Sequence, residues 1–304
     1  MRVWTVTGLR WVDGQAFLAA GDGRREHVRA LSAGLRVGWR IGGPRRCVGV
    51  WSAGRQRPCP YGESVAAEAK NAQCPTCQSA DRGLALARDQ IFDDGRTYRL
   101  YLAWFGEGLR KVGLTAEERG TARLQEQAAL AYTFVGRGRL PAVRRAELTV
   151  AQAGLARERI PSALKGAAWW SPAEEAERRA QIVALRAEVL RLLDGHGLEL
   201  LADGPVVDQV AMYGLTGGVP DAYGEVKVLA DGAVLAGALR PAIGGHLFVD
   251  PLDGGDGESG GPLLLDSRLL TGWAVSAVPA QRCAGIEPVP RARPVAEAEQ
   301  DSLF

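Results

Sequence analysis

The chain has 304 residues, 46% of them hydrophobic and 24% charged, with a formal net charge of +2. That length can bury a sizeable core, and the near-neutral balance excludes a global field that would drive the whole protein onto a polyanion, so any nucleic-acid site must be a local patch. No apolar run approaches the length that a bilayer-spanning helix needs.

The first residues, "MRVWTVTGLRW", alternate like a strand and lack the layout of a signal peptide. A cytoplasmic protein is expected, in which the five cysteines are reduced. Residues 1–46 read as β-rich, with short alternating runs broken by glycine. Residues 47–90 hold Cys47, Cys59, Cys74 and Cys77. Cys74-Pro-Thr-Cys77 is a knuckle whose tight turn lets two thiolates bind one ion, and four soft ligands in a reduced protein suit structural tetrahedral zinc. Cys283 stands alone and reads as a free thiol.

Residues 97–170 change character. "RLYLAWF" and "LRKVGLT" flank Gly106-Glu107-Gly108 as a hairpin, a helix is expected over about Ala116–Leu130, "AYTFVG" is a strand, and a second helix starts at Pro141. Over residues 171–195, Ile182, Leu185, Val189 and Leu193 recur at helical spacing; Ser171 is the expected cap, and Gly195 can end the helix. Residues 205–280 read as a small β domain, a barrel or sandwich, with a hairpin turn at Asp231-Gly232. Residues 281–304 read as a flexible tail.

One stretch, "GDGESGGPLLLD", is similar to the Gly-Asp-Ser-Gly-Gly-Pro run of trypsin-like proteases and would make Ser259 a nucleophile. A serine needs a histidine base held by a carboxylate. His246 lies far too close to Ser259 in sequence for that arrangement, and neither His27 nor His196 has the expected setting, so the stretch reads as a turn entering a strand.

The segment "YLAWFGEGLRKVGLT…RLQEQAA" resembles the GIY-YIG nuclease superfamily, and with its preceding cysteine cluster the chain looks like the bacterial domain-of-unknown-function 2797 family. The resemblance implies an α+β chain: a zinc-binding β-rich N-terminal part, a GIY-YIG-like α/β module and a small C-terminal β domain. Tyr101 falls on the first motif, Lys111-Val112-Gly113 on the second, Arg123 on the first-helix arginine and Glu147 on the second-helix glutamate. The implied roles are Mg²⁺ binding for Glu147, phosphate contact for Arg123, and water activation by Tyr101, whose ionised form a nearby lysine would favour. Lys111 replaces the tyrosine of the second motif, the first motif lacks its glycine, and no late asparagine is placed.

The expected function is therefore a Mg²⁺-dependent phosphodiesterase, a hydrolase acting on DNA or RNA. A non-catalytic nucleic-acid-binding protein and a small-molecule or partner-binding module lined by Trp169 and Trp170 stand as alternatives. Arg110, Arg119, Arg137, Arg139, Arg144 and Arg145 would supply the basic patch, and Lys165 with the two tryptophans could stack with bases. Against the patch stands a general arginine richness, since only four of the 37 basic residues are lysines.

Overall fold

Period-two alternation at both ends of the chain produces strands, and those strands meet in a single sheet. The computed structural model describes all residues except 1–2, 23–24, 53–54, 88–92, 253–260 and 295–304; Ser259 lies outside the described residues. In chain order come β1 (Trp4–Val12), β2 (Gln15–Gly21), β3 (Glu26–Ala30) and β4 (Arg36–Gly42). The cysteine segment follows as β5 (Val50–Ser52), β6 (Arg55–Arg57), α1 (Pro75–Ala80) and α2 (Arg82–Ala87). The central part comprises β7 (Thr97–Trp104), β8 (Arg110–Ala116), α3 (Ala122–Glu126), β9 (Ala131–Arg139), α4 (Leu140–Gln152), α5 (Ser162–Ala168) and α6 (Glu175–Leu192). The last strands are β10 (Glu199–Leu200), β11 (Val207–Asp208), β12 (Ala222–Val226), β13 (Val234–Leu239), β14 (His246–Asp250), β15 (Leu263–Asp266), β16 (Ala274–Ala277) and β17 (Val289–Ala292).

Ten of these strands form one sheet in the order β17-β12-β15-β14-β13-β4-β16-β1-β2-β3. The N-terminal part and the C-terminal β region are therefore not separate units: β4 pairs with both β13 and β16, and β1 pairs with β16. Strand patterning reports which face of a strand is buried but not which distant strand it pairs with, so the sequence divided what hydrogen bonding joins. Asp231-Gly232 does form a turn, with Gly232 at φ 83°. However, β12 pairs with β15 and β17 rather than β13, and Asp231 instead accepts the Gly43 N–H at 2.8 Å. The expected tail contributes β17 as an edge strand, while residues 295–304 lie outside the described part.

The second sheet, β10-β9-β7-β8 with β11 also on β9, carries the motif segment. Its one face packs Leu100, Leu102, Val112 and Val135 against Leu140, Val143, Ala146 and Val150 of α4 and against Leu185 and Val189 of α6. The α6 stripe thus belongs to this layer and is more than a connector. Its N-cap is Glu174 rather than Ser171, because the chain stays extended through Glu174 (ψ 151°) before the helix begins. The helix expected over 116–130 is broken into a 3-10 turn, Glu117–Arg119, and the short α3, with Gly120 at φ 51° between them and Ala128 at φ 59° beyond. Trp169 and Trp170 are buried in the core of the large sheet, Trp170 stacked on Tyr223 at 5.1 Å.

Arg45 fastens the cysteine segment to the large sheet. Its side chain is 1% exposed and donates to the carbonyls of Ala66, Ala67 and Ala69 and to those of Arg268 and Thr271 across the junction. Methionine fills a similar volume but leaves these carbonyls unpaired, each at about 1–3 kcal/mol. Arg45→Met is therefore expected to cost at least about 3 kcal/mol in urea unfolding; a midpoint equal to wild type would contradict that assignment.

Candidate functional site

Antiparallel pairing sets Tyr101 of β7 directly opposite Gly113 of β8. The phenol lies across the glycine, where a Cβ would come 2.2 Å from Tyr101 Oη. This is the physical reason for a small residue after Lys111-Val112: the tyrosine ring occupies the space a side chain would take. Gly113→Ala must displace the ring. We expect the variant to stay folded, with a stability loss of about 1–3 kcal/mol for overpacking. Urea unfolding beside wild type checks this; an unchanged midpoint would show that the ring yields without cost.

Lys111, on the same strand face as Gly113, is 8% exposed. The segment after α4 runs along the edge of β8, with Val112 donating to Arg157 and Arg157 to Arg110, both at 3.0 Å. That edge pairing brings Glu158 to Lys111, whose Nζ donates to the carbonyls of Glu158 and of Val112. Burial pushes the Lys111 amine down to about 8, against the opposing pull of Glu147.

Glu147 stands on α4 one residue after buried Ala146, at the border of the helix's packed face. It is partly buried, and burial pushes its carboxyl up to about 7, with Lys111, Arg144 and Arg123 opposing the shift and Glu158 adding to it. Among the described residues no cation comes within ion-pair distance of Glu147, and none of the carboxylates there pairs with Arg123. Glu118 pairs with Arg96 and Glu126 with Arg119, so both neighbours that could have neutralised Arg123 are engaged elsewhere.

Arg123 is carried on α3, and its charge bears on Tyr101, Lys111, Glu147 and Lys165. Tyr101 Oη accepts from Gln127 Nε2 at 2.8 Å. Burial of the ring, 1% exposed, raises the Tyr101 phenol despite Arg123 and Gln127, so the expected easing of its ionisation by a neighbouring cation does not occur. Desolvation outweighs the charge.

The six arginines expected to form a basic patch are mostly engaged. Arg137 pairs with Glu199 and Glu117, Arg139 with Asp93, and Arg119 with Glu126. Arg110 donates to Gln181 and Arg144 to the Leu86 carbonyl, while Arg145 is exposed. Arg137 and Arg139 lie opposite Arg99 and Thr97, at the end of β7 away from Lys111, which lies opposite Ala103. Lys165, expected to stack with bases beside Trp169 and Trp170, instead lies over the Phe105 ring with its Nζ on the Gln127 carbonyl. It is carried on the seven-residue helix α5, which holds no motif.

The cysteine cluster is compact. The sulfurs of Cys47, Cys59, Cys74 and Cys77 lie within 4.8 Å of one another, with Cys59 and Cys74 at 3.9 Å. A tetrahedral ion with metal–sulfur bonds of about 2.3 Å sets its sulfurs about 3.8 Å apart, so the four fit a metal such as zinc. Backbone N–H groups of Gly49 and Cys74 point at Cys47 Sγ, at 3.4 and 3.1 Å. Burial would raise the Cys59 thiol, but the N–H groups of Glu63 and Tyr61 hold it at about 7. Burial and the adjoining sulfurs push the Cys77 thiol far above its ordinary value, a conflict a bound cation would remove. Cys283 stays apart, its sulfur exchanging hydrogen bonds with the Ala236 backbone.

Compared with known proteins, the chain matches no family model, no curated protein and no solved structure. Among the described residues no helix is long and apolar enough to cross a membrane.

Proposed function

We propose that the chain is a Mg²⁺-dependent phosphodiesterase acting on DNA or RNA in the manner of the GIY-YIG nucleases, and that it belongs with the domain-of-unknown-function 2797 proteins. The observation that carries the reading is a largely desolvated carboxylate, Glu147, with no ion-pair partner among the described residues, in the field of Lys111 and Arg123 beside a buried phenol. A lone carboxylate completed by water suits Mg²⁺, which when bound would neutralise charge on the phosphate oxygens.

Arg123 is the phosphate ligand, its planar guanidinium offering two parallel donors. Lys111, close to half deprotonated near pH 8, takes the proton of the attacking water. Tyr101, fixed by Gln127, orients that water with its hydroxyl. In this reading the cysteine cluster holds a structural zinc ion that offers no open position to a substrate, in keeping with a reducing, cytoplasmic setting.

A second reading keeps nucleic-acid binding without chemistry. It is favoured by Lys111 at the second-motif tyrosine position and by the raised phenol of Tyr101. A panel of single- and double-stranded DNA and RNA with Mg²⁺ or Mn²⁺, wild type beside Arg123→Ala, separates the two. Metal-dependent cleavage lost with Arg123 supports the first. Salt-sensitive binding lost with Arg123, without cleavage under any condition, supports the second.

A further inference from the structure

We propose that Lys165 is a catalytic residue of this pocket, contacting the departing oxygen of the phosphodiester and giving it a proton. This role rests on the phosphodiesterase reading and extends it to the leaving group, which neither motif addresses.

Two contacts hold the Lys165 ammonium in place. Its Nζ donates to the Gln127 carbonyl at 3.1 Å and lies 4.0 Å from the centre of the Phe105 ring, whose π-face attracts a cation. The same Gln127 donates from Nε2 to Tyr101 Oη, so one residue links the two side chains. The glycine turn after β7 seats the helix that carries Lys165: a Cβ at Gly106 would come 2.6 Å from Ala168 Cβ. Upstream of α5, Ile160 packs in the same cluster as Tyr101 and Phe105. Lys165 is therefore built into the pocket wall rather than swinging from the surface.

Its place relative to the other groups suggests the role. Lys111 and Arg123 are the two cations whose charges bear both on Glu147 and on Lys165. A phosphodiester held by those two cations beside the Tyr101 phenol would also face Lys165, which Gln127 joins to Tyr101. Burial pushes the Lys165 amine down to about 8, with Lys111 and Arg123 adding to the shift, which makes the ammonium a better proton donor at neutral pH than an exposed lysine.

The step balances without a further reactant. A water oxygen forms a bond to phosphorus and loses its proton to Lys111. The bond from phosphorus to the departing oxygen breaks, its electron pair stays on that oxygen, and the Lys165 ammonium supplies the proton that makes it an alcohol. Solvent then returns a proton to Lys165 and removes one from Lys111.

The test compares two substrates that differ in their need for that proton: the oligonucleotide that wild type cleaves fastest, and thymidine 5′-(p-nitrophenyl phosphate), whose nitrophenolate departs unprotonated. Lys165→Met and Lys165→Arg are both made, the arginine keeping the charge and the cation–ring contact while being a very poor proton donor. Both are expected to lose on the order of a hundredfold or more in kcat on the oligonucleotide. On the nitrophenyl ester the loss should be a few-fold at most, and the ester result also shows that each variant is folded. Equal losses on the two substrates, or Lys165→Arg with wild-type oligonucleotide activity, would overturn the assignment while leaving the phosphodiesterase reading in place. A wild-type protein that cleaves neither substrate would remove that reading and this role together.

Discussion

Glu147→Ala is expected to lower Mg²⁺-dependent cleavage at least about a thousandfold without unfolding the protein, since a lost metal–phosphate interaction is worth several kcal/mol. Removing the side chain relieves a desolvated carboxyl at the border of the α4 packing face, so stability should not fall. The pH dependence gives the prediction a second handle. With its carboxyl pushed up to about 7 by burial, Glu147 is mostly protonated at pH 6 and ionised by pH 8. Activity should therefore climb across that interval, and added Mg²⁺ should shift the climb to lower pH, because a cation binds only the ionised form. The linkage to stability has a definite sign. A group whose folded value lies above its ordinary 4.5 contributes most to metal-free stability below about 4.5, and that contribution is lost as the pH rises through about 7. Mg²⁺ should restore it at pH 8 in wild type and not in Glu147→Ala. Thermal melts at pH 6 and pH 8, with and without Mg²⁺, check this alongside rates; an equal Mg²⁺ effect in both proteins would place the cation elsewhere.

The second large effect concerns the cysteine cluster. Chelation of its metal, or Cys77→Ser, is expected to unfold the segment between Cys47 and Cys77 and to lower Tm on the order of 10 °C. The segment has a two-strand hairpin and the start of the six-residue α1, with α2 just beyond it, and its own buried cluster is largely the cysteines with Val50 and Val65. So small a core cannot offset chain entropy unaided. Metal analysis should find one zinc per chain in the wild type. Proteolysis of the stripped protein should cut first between residues 47 and 77, and the damage should reach the loop at Arg268–Thr271, because Arg45 joins the two. A metal-free preparation that melts like the loaded one would contradict a structural role.

What could be read from the sequence divides by the range of the interaction. The β7–β8 hairpin, β9 and α4 follow from local alternation and helix spacing, and four cysteines in one segment were legible as a cluster because chain proximity limits where they can go. Pairings across the chain were not legible. Nothing in "GLRVGWRIGG" tells it to lie between β13 and β16, and so the ten-stranded sheet was divided in two. Local chemistry also misled where tertiary burial took over. A cation near Tyr101 argues for an easier ionisation, yet the buried ring ends with a raised phenol. Charge counting suffered likewise, since Arg119, Arg137 and Arg139 look like a patch until their carboxylate partners are in place. The partners of Lys165 were hidden for the opposite reason: Phe105 and Gln127 lie 60 and 38 residues away and carry no motif.

The most direct test of the pocket is a titration of zinc-loaded protein with Mn²⁺, followed by electron paramagnetic resonance at pH 8 and pH 6. Occupying the thiolate cluster with zinc leaves the Glu147 pocket as the site under test. One Mn²⁺ bound per wild-type chain is expected at pH 8, with weaker binding at pH 6 and none in Glu147→Ala. Retention of the same Mn²⁺ by Glu147→Ala, or no binding by wild type at either pH, would contradict a metal site at Glu147.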